Sequence, residues 1–296
     1  MHIDVTERKE VERRLAAAER LESIGRLAAG VAHEINTPVQ FVSDNVQFMR
    51  TSMAEIHAVI QTYRGLQRAA QSGGDVLAAA RLAADAERAA DLDYLMEDVP
   101  RAIDSSIDGL DRIGTIVRSM REFAHPDQEQ KGFADLNRAI QSTLVIAKNE
   151  YKYVAEIDAQ LGELPPVSCH LGEINQVILN LLVNASHAIA DVVKGTENLG
   201  KITVCTRLDG DEVEISIADT GTGIPETERD KIFEPFFTTK EVGKGTGQGL
   251  SHAHSVIVKK HAGTLRFETE DGKGTTFFIR LPIDSATGAD ADQAAA

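Results

Sequence analysis

Between residues 7 and 124 the chain contains only two prolines, Pro38 and Pro100, and its apolar residues return at helical spacing, as in Ile24, Leu27, Val31 and Ile35. That pattern predicts long helices. Farther on, Ile103, Leu110 and Val117 recur every seven residues, with Val99, Ile113 and Met120 on the intervening seam, which is the spacing of a coiled coil. The strongest turn signal between the two runs is "QSGGD", residues 71–75, so the expectation is a helical hairpin, with Gly65 and the alanine-rich stretch beyond it as places for an extra turn. From His33 to Gly73 such a helix is roughly 60 Å long if unbroken. A hairpin hides only part of its apolar stripe, and a second copy completing a four-helix bundle covers the rest.

The segment "AHPDQEQKG", residues 124–132, is polar and contains a proline, and the rhythm changes after it. A helix is expected near 135–150, a break at Pro165 and Pro166, and a strongly apolar helix over about 171–194. Then come alternating, β-branched segments, "KITVCTR", "EVEISIA", "TLRFETE" and "TTFFIRL", with glycine-rich loops among them, which predicts an α/β sandwich whose helices cover one sheet face. The fold class is therefore α+β multidomain, a helical hairpin followed by an α/β sandwich. The tail "SATGADADQAAA" reads as disordered.

Composition narrows the function classes. Thirty-one basic against 46 acidic residues give a formal charge of −15, which argues against a general role on nucleic acid or an anionic membrane. Cys169 and Cys205 are too few and too isolated for a disulfide framework or a cysteine zinc site, so a reducing, cytoplasmic setting is expected. The start "MHIDVTERKEVERR" has no apolar signal-peptide core, and no contact with a membrane is expected of this chain.

In "EINQVILNLLVNASHAI", Gln176, Asn180, Asn184 and His187 are spaced four, four and three apart and share one helical face. A merely solvated face would more naturally carry Glu, Lys or Arg, because Asn is a poor helix former. Amide oxygens suit a hard cation such as magnesium, and side-chain donors suit phosphate oxygens. "DTGTGIP" follows directly on an apolar strand, which puts Asp219 at the strand end with Gly221 and Gly223 in the turn; a turn alone explains the glycines, while the carboxylate adds an acceptor for an exocyclic amine such as adenine's. "GKGTGQGLS", residues 243–251, runs into a helix, so its backbone N–H groups are candidates for phosphate. It is neither the "GxxxxGK[ST]" phosphate loop nor the dinucleotide "GxGxxG" unit in its required context.

Taken in order, "VAHEINTP", "NQVILNLLVNA", "DTGTGIP", "IFEPFFTTK", "GTGQGLS" and "GKGTTF" resemble the boxes of a bacterial sensor histidine kinase, over roughly residues 20–283. The resemblance implies a dimerisation and histidine-phosphotransfer domain over 20–129, a gyrase-type ATP-binding domain over 130–285 and a disordered tail over 286–296. Residues 1–19 would be a helical linker, whose "DVTERK", residues 4–9, resembles the exit of a PAS domain and implies an upstream sensor.

What the resemblance implies for single residues is specific. His33 is the phosphoacceptor on the solvent face of the first helix. Glu34 accepts and holds the proton of the other imidazole nitrogen. Thr37, one turn on, orients water for dephosphorylating a response regulator, Asn36 contacts incoming ATP, and Pro38 bends the helix. Asn184 binds magnesium, Asn180 and His187 reach the phosphates, and Asp219 accepts from adenine with Gly221 and Gly223 close by. Lys240, Gly243, Gly245, Thr246, Gly247, Gly249 and Leu250 form the lid, and Thr275 lies in the closing turn. Gln248 departs from the commoner leucine and affects lid packing only. Gyrase-type ATPases carry a glutamate near position 180; an amide there suits transfer over hydrolysis. The implied activity is ATP- and Mg2+-dependent autophosphorylation of His33 in a homodimer, and transfer to an aspartate on a separate receiver. The alternatives are an ATP-hydrolysing relative and a nucleotide-regulated dimeric scaffold.

Overall fold

A computed structural model of the chain describes residues 5–124, 131–196, 198–238 and 247–284, except the side chains before residue 30 and at 124. The expected tail beyond 285 lies outside the described residues. The chain divides into two compact units, Ala32–Val117 and the combination of Met1–Val31 with Arg118–Ala296.

The first unit is the hairpin. Helix α1, Val5–Ser72, runs through both Pro38 and Gly65. The expected turn is where the glycines put it: Gly73 has φ +73, Gly74 N–H donates to the Ala69 carbonyl at 2.9 Å, and Asp75 caps the next helix by accepting from Ala78 N–H at 2.9 Å. No extra turn forms at Gly65. The interruption lies instead in the return limb, between α2, Val76–Ala90, and α3, Leu92–Ala124, where Asp91 is left-handed at φ 48 and ψ 56. An aspartate tolerates that conformation as a helix cap, and its N–H satisfies the carbonyls of Glu87 and Arg88.

The buried face of α3 is Leu95, Ala102, Ser106 and Ile116, while the predicted seam Val99, Ile113 and Met120 is only half-buried. Gly109 completes that face: a Cβ there would come within 2.6 Å of Phe41 Cε2 and 2.7 Å of Val42 Cγ2, so its missing side chain leaves the space that the Phe41 ring and the Val42 methyl fill. Phe48 and Tyr94 meet edge to face, with centroids 6.4 Å apart. Beside the buried face runs an exposed one, Val39, Val46, Met53 and Ile60 on α1 and Met96, Ile103, Leu110 and Val117 on α3, again every seven residues.

The second unit holds the sandwich. Strands β2 (Ala155–Leu161), β4 (Gly200–Asp209), β5 (Glu212–Asp219), β6 (Thr264–Glu270) and β7 (Gly274–Pro282) form one sheet in the order β2-β4-β5-β7-β6, and the short β1 (Gly132–Ala134) and β3 (Val167–Cys169) pair beside it. The four expected strands are present. β2 joins β4 in parallel, in register Ala155↔Gly200. Helices α4 (Leu136–Tyr151) and α5 (Leu171–Val193) bury their apolar faces with Ile202, Val204, Ile215, Ile217, Ile279 and Leu281 of the sheet. α5 is apolar and long enough to cross a membrane by length and composition, but here it is the central helix of the core. α6, Gly249–His254, continues into a π-helical turn, Ser255–Lys260.

On the other sheet face Glu214 is buried between Arg280, at 2.8 Å, and Arg207, at 2.7 Å. Burial raises its pKa, but the two guanidiniums prevail and hold the carboxyl below its ordinary value. At the end of α3, Glu122 accepts from Ser142 at 2.7 Å and pairs with Arg138, both on α4.

One defect stands out in this core: Asn175 is 1% exposed, and among the described residues neither polar atom of its amide has a hydrogen-bond partner. An orphaned buried amide costs about 1–3 kcal/mol, so Asn175→Leu is expected to stabilise the sandwich by a similar amount. Thermal or urea unfolding checks this; a lower midpoint in the variant counts against it.

Candidate functional site

The sandwich exposes one face of α5. Gln176, Asn180, Asn184 and His187 are half-buried, while Val177, Ile178, Leu179, Leu181, Leu182, Val183, Ala185 and Ser186 are buried, so the polar stripe borders the domain's open side. The stripe is internally wired: Gln176 Nε2 donates to Asn180 Oδ1 at 3.0 Å, and Asn180 Nδ2 donates to the Gly249 carbonyl at 3.4 Å. Asn180 thereby ties the first turn of α6 to α5.

Asp219 stands at the end of β5. Its Oδ1 accepts Gly221 N–H at 2.8 Å and Thr275 N–H at 3.3 Å. Among the described residues nothing donates to Oδ2. Burial pushes the carboxyl pKa up, and the two backbone N–H groups only partly offset it. A carboxylate with one oxygen locked and the other unengaged fits the exocyclic amine of a purine. Gly221 lets this turn reach α5, since a Cβ there would sit 2.5 Å from Ala188 Cβ. Asp219, Gly221, Asn184 and His187 are thus brought to one place. Gly223, at φ +73, would drive a Cβ to 2.2 Å from the Glu270 carbonyl. Opposite, Thr269 Oγ1 accepts Ile224 N–H and donates to the Gly274 carbonyl, so Thr275 is the donor in the 3.0 Å hydroxyl pair between them.

Gly247 and Phe236 close the far end. Phe236 is in the left-handed region at φ 67, its N–H donates to the Gly247 carbonyl at 2.9 Å, and a Cβ on Gly247 would meet Phe236 C at 2.4 Å. Gly249 and Leu250 begin α6, both half-buried. Lys240, Gly243, Gly245 and Thr246 lie outside the described residues.

A cation here would draw on Asn184 and the phosphates of a nucleotide, because no cluster of three or more His, Cys, Asp or Glu forms among the described residues. An amide oxygen with phosphate oxygens is a donor set that fits magnesium.

A residue pair unmarked by any motif supports α5 from below. His261, 1% exposed, accepts the His170 backbone N–H on Nε2 at 3.0 Å; its Nδ1 therefore carries the proton and donates to the Val256 carbonyl at 2.9 Å. His170 caps α5. Burial lowers the His261 pKa below the ordinary 6.5.

In the hairpin unit His33, Asn36 and Thr37 are exposed, and Thr37 Oγ1 donates to the His33 carbonyl at 3.0 Å. Pro38 is buried within the continuous α1. Glu34 differs from its neighbours. It is 8% exposed and bonded to Arg112 of α3 at 2.7 Å, a partner 78 residues away that carried no short-range signal.

Residues 171–285 match the family described as histidine kinase-, DNA gyrase B- and HSP90-like ATPases. Signal transduction histidine-protein kinase AtoS of Escherichia coli (strain K12) is 32% identical over 288 residues, 95% of this chain and 38% of that protein. Sporulation kinase E of Bacillus subtilis (strain 168) is 31% identical over 283 residues, 95% of this chain and 31% of that protein. Among solved structures, the catalytic domain of histidine kinase ThkA aligns with a TM-score of 0.46 at 29% identity, covering 53% of this chain and 97% of that one. The chain thus spans well under half the length of these two curated relatives.

Two outcomes are expected. Asp219→Asn keeps an oxygen for Gly221 and Thr275 but loses the charged acceptor, so nucleotide affinity measured by calorimetry falls about 10-fold or more, the worth of a charged hydrogen bond. Neutral His261 contributes stability that is complete above pH 6.5 and is lost as pH falls below that value toward its depressed folded pKa. The unfolding midpoint therefore drops on going from pH 7.5 to 5.5, and the drop is smaller in His261→Gln.

Proposed function

We propose that this chain is a histidine kinase that transfers the γ-phosphoryl group of ATP to His33 and from there to an aspartate of a response-regulator receiver. The observation that carries this reading is the half-buried stripe of Asn180, Asn184 and His187, joined by the Gly221 turn to Asp219, in a domain of the matched ATPase family. Asp219 holds the adenine, Asn180 and His187 orient the phosphates, and Asn184 holds Mg2+. When bound, the cation neutralises charge on the phosphates during transfer. The neutral imidazole of His33 attacks phosphorus; a P–N bond forms, the bond to the bridging oxygen of ADP breaks, and the proton on the second ring nitrogen passes to Glu34. Thr37, on the next turn of the same exposed face, orients water for removing phosphate from the regulator in this reading.

Homodimerisation rests on the hairpin's own surface. The exposed heptads Val39, Val46, Met53, Ile60 and Met96, Ile103, Leu110, Val117 form an apolar stripe, and an apolar recess lined by Ile60, Tyr63, Leu92 and Met96 continues it at the tip. A second copy burying this stripe gives a four-helix bundle. An upstream PAS-like sensor and cytoplasmic placement belong to the same proposal.

Incubation with γ-labelled ATP and Mg2+ tests it. Acid-labile, alkali-stable label is expected on the wild type and absent from His33→Ala, with labelled wild type passing its phosphate to a receiver. Phosphate released to water without labelled protein would replace this reading with that of an ATPase.

A further inference from the structure

Glu34 is the base of the proposed transfer, yet it does not share the exposure of the residue it serves. Neighbours in sequence on a helix point about 100° apart, so His33 faces solvent while Glu34 turns into the seam between α1 and α3. Its side chain is 10% exposed there. A carboxylate withdrawn from water in this way takes up a proton or swings out unless it is paired. As a protonated acid it accepts nothing from His33, and swung into solvent it has no fixed position.

The partner is Arg112, whose Nη2 lies 2.7 Å from Glu34 Oε2. Its own side chain is 44% exposed, so Arg112 reaches from solvent into the seam. Arg112 and Gly109 lie three residues apart on α3, on one face, and at Gly109 the missing side chain makes room for the Phe41 ring of α1. Phe41 in turn is two helical turns beyond Glu34. Gly109 against Phe41 and Arg112 against Glu34 are therefore successive contacts along one seam.

We propose that Arg112 is a positioning residue for phosphoryl transfer: its guanidinium fixes the Glu34 carboxylate at the α1/α3 seam, one residue from His33. The proposal rests on the kinase reading above and on Glu34 as the proton acceptor. Among the described residues Arg112 bonds Glu34 and not the His33 imidazole.

The test is a double-mutant cycle on the full chain, following the initial rate of His33 labelling at saturating Mg-ATP and the KM for ATP. Arg112→Gln is expected to slow labelling roughly ten-fold or more, within the range a general base contributes, with KM unchanged. Arg112→Lys recovers part of the rate because it restores a cation. In the Glu34→Gln background, Arg112→Gln causes no further loss. Circular dichroism confirms that each variant keeps its helices.

Losses from Arg112→Gln and Glu34→Gln that multiply would make Arg112 independent of Glu34 and overturn the proposal. Faster labelling in Arg112→Gln would overturn it too, turning the ion pair into a restraint on the base. A labelled wild type unaffected by Glu34→Gln overturns Glu34 as base and Arg112's role with it, leaving the kinase reading intact. An unlabelled wild type overturns both.

Discussion

The ATP-binding half of this protein depends on the burial of α5. Twelve of its residues, among them Ile174, Ile178, Leu182 and Ile189, are buried against the sheet and α4, which fixes the helix in position and in rotation. Once that rotation is set, the leftover stripe of Gln176, Asn180, Asn184 and His187 has one direction in which to face. The site is preorganised by its own hydrophobic back, and no loop has to order to aim the amides. Gly221 extends the arrangement by letting the turn that follows Asp219 touch Ala188, so the carboxylate at the end of β5 is set against the helix that carries the amides.

The hairpin solves an opposite problem. Its interior seam of Leu95, Ala102, Gly109 and Ile116 packs on α1, but the neighbouring heptads stay apolar and uncovered. The two residues of α1 proposed for phosphoryl transfer divide along the same line. His33 lies on the exposed face and Glu34 in the buried seam, where Arg112 of α3 pairs with it. Adjacent positions on a helix thus give two environments within one residue step.

Much of this was legible in the residues. The turn at 71–75, the apolar helix at 171–194 and four of the strands announced themselves because their signals are local: two glycines with a capping aspartate, a long apolar run with amides at helical spacing, and β-branched alternation. β2, "AEIDAQL", alternates apolar and polar residues but was missed because Ile157 is its one β-branched residue and its two alanines are weak strand formers. The break at Asp91 was missed because aspartate takes a left-handed cap without advertising it as glycine does, whereas Gly65, which did advertise one, stays helical within a packed limb. The partners of the site residues lay beyond local reading. Arg112 beside Glu34, and His261 beneath the start of α5, are contacts across 78 and 91 residues that only the folded chain brings together.

The break at Asp91 also bears on how the hairpin tolerates changes in its length. Below it, the levels of the two limbs are keyed to each other by Glu34 with Arg112 and by Phe41 with Gly109. Both limbs repeat every seven residues, so a tip shortened or lengthened by one matched heptad on each side returns every remaining side chain to the same azimuth and the same partner. An unmatched change of one or two residues rotates a whole limb, and the first casualty is the pairing of Glu34. Divergence in length at the tip is therefore quantised, and its unit is the heptad.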